Sequence, residues 1–139
     1  MNDHARIRVL TVDDHPLLQE AVATIIDSQS DMQLVAQAFS GSEAIQTFRE
    51  HQPDITLMDL RLPDMNGIET VIAIRAEFPD ARIIMLTTFE GNVEIQRALQ
   101  AGAWGYLLKS MPPKDLLAVI RQVHIGKRQI PTEMGGPPH

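Results

Sequence analysis

The sequence contains no cysteine and no long hydrophobic run, and each absence narrows the possible functions. Without cysteine, the 139 residues hold neither a disulfide framework nor a thiolate metal site. This is compatible with a reducing cytoplasm, where we expect the protein to reside. No apolar run approaches the length of a membrane span, and residues 1–6 lack the apolar segment of a signal peptide. We therefore expect no membrane partner.

Positive charge is also scarce. Twelve Lys and Arg residues stand against eighteen Asp and Glu residues, which gives a formal net charge of −6. The basic residues are scattered along the chain, so the domain is a poor candidate for binding nucleic acid by itself. Cations and basic surfaces are more suitable partners. The length fits one domain with a hydrophobic core.

Strand-like and helix-like segments alternate about five times, which predicts an α/β protein with a mostly parallel sheet. The predicted strands cover approximately residues 7–12, 33–39, 54–58, 82–86 and 104–108. Each is followed by a predicted helix, and Ser42 is the predicted N-cap of the second. After Gly126 the pattern decays into a segment rich in glycine and proline.

Three carboxylates follow two of the predicted strands. Asp13 and Asp14 come directly after the first strand, and Asp59 comes directly after the third. If these strands are parallel neighbours, all three acids converge on one small surface. Like charges so close repel each other and require a hydrogen-bond donor, a proton or a cation. The sequence therefore predicts a site that binds a divalent ion and performs phosphate chemistry.

Two further strand ends carry suitable groups, Thr87 after the fourth strand and Lys109 after the fifth. Ligands of open parallel sheets bind beyond the carboxyl ends of the strands. An oxygen-only ligand shell suits Mg²⁺, and a carboxylate can attack a phosphoryl donor to form an acyl phosphate. We expect Asp59 to be the nucleophile, Lys109 to compensate charge and Thr87 to donate a hydrogen bond.

Four motifs resemble the receiver domain of two-component response regulators over about residues 6–128. They are Val12-Asp13-Asp14-His15, the segment 58–67 (Met-Asp-Leu-Arg-Leu-Pro-Asp-Met-Asn-Gly), Thr87-Thr88, and the segment 102–109 (Gly-Ala-Trp-Gly-Tyr-Leu-Leu-Lys). The resemblance implies a doubly wound, flavodoxin-like fold. Its five-stranded parallel sheet has the order 2-1-3-4-5, with helices on both faces.

The resemblance also implies the roles at the site. Asp59 would accept a phosphoryl group from a sensor histidine kinase and contribute to the Mg²⁺ site. Asp14 would bind Mg²⁺ directly, Asp13 would help through water, and the backbone carbonyl of Arg61 would be a further ligand.

The remaining implied roles concern signalling. Thr87 would hydrogen-bond the phosphoryl oxygen, Lys109 would pair with it, and Tyr106 would turn inward as an aromatic switch. A static, half-buried Tyr106 is the alternative interpretation. His15 is interpreted as a polar surface residue at the start of the first helix.

The first and fifth strand motifs are most similar to the branch that carries a LuxR/FixJ-type helix-turn-helix output. This implies a receiver over residues 1–128 and, over residues 129–139, a flexible tail or the start of a linker. DNA would be bound only through an output domain that this chain lacks. Whether phosphorylation causes homodimerisation or releases a masked output module stays open, as does a stand-alone receiver.

Three other functions are weighed against this one. A small Mg²⁺-dependent phosphatase with an aspartyl nucleophile usually has a second acid two residues later, where this chain has Arg61. A flavin or nucleotide binder would need a glycine-rich loop where Asp14-His15-Pro16 stands. A pseudo-receiver is disfavoured by the full set of acids, hydroxyl and lysine. The prediction is a signalling switch and not a turnover enzyme.

Overall fold

Five parallel strands form one sheet in the order β2-β1-β3-β4-β5, as predicted. The computed structural model describes residues 6–88 and 91–129. Its strands are β1 (Ile7–Val12), β2 (Met32–Ala38), β3 (Ile55–Met58), β4 (Ile83–Thr87) and β5 (Gly105–Leu108). Its helices are α1 (Pro16–Asp27), α2 (Gly41–His51), α3 (Gly67–Glu77), α4 (Asn92–Ala101) and α5 (Pro113–His124).

The strands are almost wholly apolar because both faces of the sheet are covered by helices. Val9 of β1 belongs to a core cluster shared with α1 and α5, whereas the next residue, Leu10, belongs to the cluster shared with α2, α3 and α4. Alternate side chains point to opposite faces of a strand, so every strand contributes to both cores. No helix in the described part of the chain has the length and apolarity of a membrane span.

The helix boundaries follow from local capping. Pro16 starts α1, where its missing N–H leaves no hydrogen bond unmade. In α3, Asn66 and Glu69 form a reciprocal capping box. The N-cap prediction for α2 is wrong: Ser40 caps this helix by accepting from the Glu43 N–H, since Ser40 is the residue with extended backbone.

Four of the five strands differ by one residue from the prediction: the structure has 32–38, 55–58, 83–87 and 105–108 where 33–39, 54–58, 82–86 and 104–108 were predicted. Thr87 is the last residue of β4 and not the residue after it, because its backbone pairs with Leu108. Trp104 precedes β5, and its ring lies against the guanidinium groups of Arg82 and Arg128 at 4.8 and 4.5 Å.

The segment after α5 returns to the sheet. Gln129 forms an isolated parallel bridge with Gly105. Its N–H donates to the Trp104 carbonyl at 2.8 Å, and its carbonyl accepts from the Tyr106 N–H at 3.2 Å. The ordered backbone pairing therefore includes residue 129, and the rest of the predicted tail, residues 130–139, lies outside the described residues.

Candidate functional site

The register of β1 and β3 brings the predicted acids together at the carboxyl end of the sheet, where the parallel strands end. Val12 pairs with Met58, so Asp13 and Asp59 follow at neighbouring positions. The Asp59 N–H donates to the Val12 carbonyl at 3.0 Å, which ties the two strand ends. Ligand atoms of Asp13, Asp14, His15 and Asp59 all lie within 4.8 Å of one another.

Lys109 reaches this acidic cluster from the end of β5. Its Nζ lies 2.7 Å from Asp13 Oδ2 and 3.2 Å from Asp59 Oδ2. All three side chains are largely buried, with 11% of the lysine and 5–8% of each carboxylate side chain exposed. Such burial strengthens the attraction but also makes any excess charge costly.

The charge balance of the cluster is visible in Asp59. Burial is the main cause that raises the pKa of this carboxyl above its usual value, and the neighbouring Asp13 raises it further. The Lys109 ammonium and the Arg61 N–H act in the opposite direction. The charged form of Asp59 is therefore destabilised, and an added cation would stabilise it.

His15 is more closely involved than its sequence position indicated. It is exposed and precedes α1, as predicted, but its Nδ1 lies 2.8 Å from Asp13 Oδ1 and 3.1 Å from Asp14 Oδ1. The hydrogen bond with Asp13 is the main cause that raises the pKa of the imidazole. Its backbone N–H also donates to Asp13 Oδ1 at 2.8 Å, which bends the chain around this carboxylate.

Thr87 and Tyr106 lie on the two strands next to the cluster. The Thr87 carbonyl accepts from the Lys109 N–H at 2.8 Å, so the predicted hydroxyl donor and the lysine are joined through backbone. Thr87 is buried. Tyr106 is also buried and belongs to the same core cluster as Ile95 and Ala98 of α4. The structure thus holds Tyr106 in the inward position, and its switching role stays a prediction.

The loop after Asp59 is fixed at three points. The Arg61 N–H faces Asp59 Oδ1 at 3.5 Å, which is at the limit of a hydrogen bond. Asp64 accepts from the N–H groups of Gly41 and Ser42 at 2.7 and 2.9 Å, and these bonds lower the pKa of its carboxyl to about 2. A Cβ at Gly67 would lie 2.1 Å from the Asp59 carbonyl oxygen, so only glycine allows α3 this close.

One buried residue of the site escaped the sequence analysis. Gln19 of α1 is 2% exposed and donates through Nε2 to the carbonyl oxygens of Asp13 and Ala38 at 3.0 and 2.8 Å. The available signal was a glutamine three residues before the inward-facing Val22, on the apolar side of the helix. A buried amide in such a position needs polar partners, and the strand ends supply them.

The arrangement fits a hard divalent cation. The described cluster offers carboxylate oxygens from Asp13, Asp14 and Asp59, and the carbonyl of Arg61 belongs to the adjoining loop. Oxygen ligands of this kind are those that Mg²⁺ and Ca²⁺ prefer. Which of these atoms bind a metal stays a prediction.

Comparison with known proteins agrees with this geometry. A family model for the response regulator receiver domain matches residues 9–121. The transcriptional regulatory protein LnrK of Bacillus subtilis is 35% identical over 128 residues, which are 92% of this chain and 58% of that protein. The response regulator protein VraR of Staphylococcus aureus is 38% identical over 121 residues, 87% of this chain and 58% of that protein.

Solved structures give the same result. A LuxR-family two-component response regulator from Aurantimonas sp. SI85-9A1 superimposes with a TM-score of 0.88 at 36% identity, covering 93% of this chain and 92% of that one. The response regulator domain of Thermotoga maritima CheB gives a TM-score of 0.80 at 34% identity, covering 86% and 97%.

The chain spans 58% of the length of the curated relatives LnrK and VraR. These relatives are response regulators and not classical enzymes, so the phosphatase alternative is not favoured. The predicted fold is confirmed by the strand order and by these structural matches. With the family model covering most of the chain, the sequence resemblance is confirmed, and the chain belongs to the receiver domain family of response regulators.

Proposed function

We propose that this chain is a phosphorylation switch in which Asp59 accepts a phosphoryl group from a sensor histidine kinase. The observation that carries the proposal is the buried Asp59 carboxylate, 3.2 Å from Lys109 Nζ and beside a second buried acid, Asp13. A carboxylate at a strand end, with an ammonium and a hydroxyl-bearing residue on the next strands, has the groups that phosphoryl transfer requires.

In the transfer step, an oxygen of Asp59 forms a bond to phosphorus while the bond from phosphorus to the kinase's imidazole nitrogen breaks. The departing imidazole keeps the electron pair of that bond, and the product is an acyl phosphate on Asp59. Lys109 compensates the charge of the peripheral phosphoryl oxygens, and the Thr87 hydroxyl donates to one of them. Each chain takes up one phosphoryl group, so the protein acts as a switch and not as a turnover enzyme.

Mg²⁺ would be held by Asp14, Asp59 and the Arg61 carbonyl, with Asp13 acting through water. When bound, it supplies charge neutralisation between the acids and the incoming phosphoryl group. The proposal is supported by the acidic cluster itself, whose ligand atoms lie within 4.8 Å of one another.

Phosphorylation would alter the surface formed by α4 and β5. Thr87 would move toward the phosphoryl group, and Tyr106 on the paired strand would act as the aromatic switch by being held in the inward position that it has in this structure. The relatives include a transcriptional regulatory protein, so we place a DNA-binding output module downstream of a receiver covering residues 1–128, in a cytoplasmic regulator. Homodimerisation on phosphorylation is one way to control such an output.

The test is mass spectrometry of the intact chain after incubation with acetyl phosphate, with and without MgCl₂. We expect one added phosphoryl group that depends on Mg²⁺ and is absent from Asp59→Ala. Asp54→Ala, which changes an exposed acid directly before β3, is the matched control and should be labelled like the wild type. Absence of label on the wild type, or equal labelling of Asp59→Ala, would contradict the proposal. Gel filtration of the same samples reports dimerisation.

A further inference from the structure

The Gln19 side chain is a buried polar hub beneath the acidic cluster. Its Nε2 faces three backbone carbonyls, those of Ala38 at 2.8 Å, Asp13 at 3.0 Å and Thr11 at 3.4 Å. Its Oε1 accepts from the Thr11 hydroxyl. The carbonyls fix the amide orientation, because they can only accept and therefore require Nε2 to face them, which leaves Oε1 to accept from the Thr11 hydroxyl.

One of these contacts bears directly on the acids. The Asp13 carbonyl belongs to the peptide plane that joins Asp13 to Asp14, and a rotation of this plane would displace both residues. The other side of the turn is held by the Asp13 N–H, which donates to the Ala38 carbonyl at 3.1 Å. Since Gln19 donates to that same Ala38 carbonyl, one side chain connects α1 to the ends of β1 and β2.

The acids repel each other, and this repulsion favours any rotation of the turn that would separate them. Asp13 and Asp59 lie close enough to share Lys109, and Asp14 lies close enough to contact His15. A free strand end could lower this repulsion by rotating the peptide between residues 13 and 14. Buried hydrogen bonds to a rigid helix oppose such a rotation.

We propose that Gln19 is a positioning residue for the cation site: its amide holds the Asp13–Asp14 peptide so that both carboxylates face the bound ion. This inference rests on the proposed function, and it assigns to Gln19 an effect on Mg²⁺ affinity and not on the chemistry of transfer. Gln19 lies under the acids, since its amide contacts their backbone and the site is open to solvent through the exposed Asp14.

The test compares Gln19→Met with the wild type. Methionine has a similar length and fills the buried space but removes both donors and the acceptor. Gln37→Met is the matched control, because Gln37 donates to the Gln19 backbone carbonyl at 3.3 Å and is not bonded to the Asp13–Asp14 peptide. The first readout is the Mg²⁺ Kd, from a chemical-shift titration of the ¹⁵N-labelled protein with MgCl₂ alone. The second is the rate of labelling by acetyl phosphate as a function of MgCl₂.

We expect the Mg²⁺ Kd of Gln19→Met to rise about 10-fold, the lower end of the effect of losing an outer-shell partner. The labelling rate at saturating MgCl₂ should stay within about twofold of the wild type, because Asp59, Lys109 and Thr87 are unchanged. Gln37→Met should match the wild type in both readouts. A residue needed only for stability would lower the unfolding midpoint and leave the Kd of the folded protein unaltered.

The outcomes distinguish failure of the Gln19 inference from failure of the proposed function. An unchanged Kd in a folded Gln19→Met chain, with a wild type that binds Mg²⁺ and is labelled, overturns this inference alone. A wild type that neither binds Mg²⁺ nor takes label overturns the proposed function and this inference with it. If Gln19→Met does not fold, Gln19→Glu replaces it, since glutamate keeps the acceptor for Thr11 and loses the amide donors. Failure of both variants to fold would also overturn the inference, because Gln19 would then be required by the whole fold.

Discussion

The two ends of the sheet both collect charged side chains but balance them differently. At the amino end, Arg82 lies over the Trp104 ring and donates to the carbonyls of Val123 and His124 at 3.0 and 2.6 Å. Arg121 donates to both carboxylate oxygens of Asp31 at 2.8 and 3.0 Å. Each of these cations has its partners within the protein and joins α5 to neighbouring segments.

At the carboxyl end, Lys109 pairs with Asp13 and Asp59, and Asp14 adds a third carboxylate to the same cluster. These charged groups are one another's partners, and the three carboxylates outnumber the single lysine ammonium. The difference teaches that charge at the amino end stabilises the fold, whereas the carboxyl end carries excess negative charge, which lowers stability and which we propose a cation would balance. Removing a charge from this acidic cluster and removing one from the ion pairs at the amino end should therefore change stability in opposite directions.

The largest stability effect is expected for Arg82→Ala. This change removes two hydrogen bonds to carbonyls and the stacking on Trp104, and we expect a loss of about 2 kcal/mol in the free energy of unfolding. Urea denaturation followed by Trp104 fluorescence measures it. Arg128→Ala is the control, because Arg128 is more exposed and makes one carbonyl bond, so its loss should be smaller. Equal losses would show that stacking alone matters at this end.

A stabilising effect is expected for Asp59→Asn without Mg²⁺. The variant removes a buried charge and leaves Lys109 paired with Asp13, so we expect a gain of about 1 kcal/mol in the free energy of unfolding. Burial raises the Asp59 pKa in the folded protein. The penalty is thus present above that raised pKa, and it disappears as the pH falls toward the ordinary carboxyl value. Thermal unfolding from pH 7 downward should show the variant and the wild type converging.

A smaller effect of opposite sign is expected for Asp31→Asn at the amino end. Arg121 lowers the pKa of this carboxyl through a hydrogen bond. Because nearly half of the side chain is exposed, solvent screening leaves a loss of only about 0.5 kcal/mol. The stabilisation is present above the ordinary carboxyl pKa and is lost as the pH falls through the lowered one. A gain in stability on Asp31→Asn would contradict the contrast between the two ends.

The smallest effect is expected for Asp64→Asn, and it should be present near neutral pH and disappear in acid. The N–H groups of Ser42 and Gly41 lower the Asp64 pKa to about 2. Its contribution is therefore complete above the ordinary carboxyl pKa and lost as the pH falls through about 2. Asparagine keeps an acceptor oxygen, so Asp64→Ala should be the more destabilised variant near neutral pH. The measurement is the thermal unfolding midpoint of both variants and the wild type, compared from about pH 7 down to about pH 2.

The sequence predicts the fold well because each local pattern agrees with the global one. The apolar runs of β1 and β3, the proline at the start of α1 and the glycine after α4 each indicate the element that forms. Asp13, Asp59 and Lys109 also meet as predicted, since parallel strands place their ends together. The functional roles of these residues stay predictions.

The features that sequence reasoning missed depend on side-chain directions. The contact of His15 with Asp13 and Asp14 arises from a bend in the backbone between β1 and α1, which periodicity does not describe. The placement of Gln19 depends on the rotation of α1 relative to the sheet. The cap of α2 by Ser40 is local, since Ser40 accepts from the Glu43 N–H, but the bonds of Asp64 to the first turn of that helix come from a loop in another part of the chain. Such long-range contacts have no local signature.

The bridge at Gln129 protects one edge of the sheet from pairing with other chains. β5 is one of the two edge strands of the sheet, and an edge strand offers unpaired amide and carbonyl groups to other chains. Gln129 occupies the positions at Trp104 and Tyr106 where foreign pairing would begin. A version shortened after Gly126 would expose them, and we expect it to aggregate more readily on concentration, as light scattering would reveal.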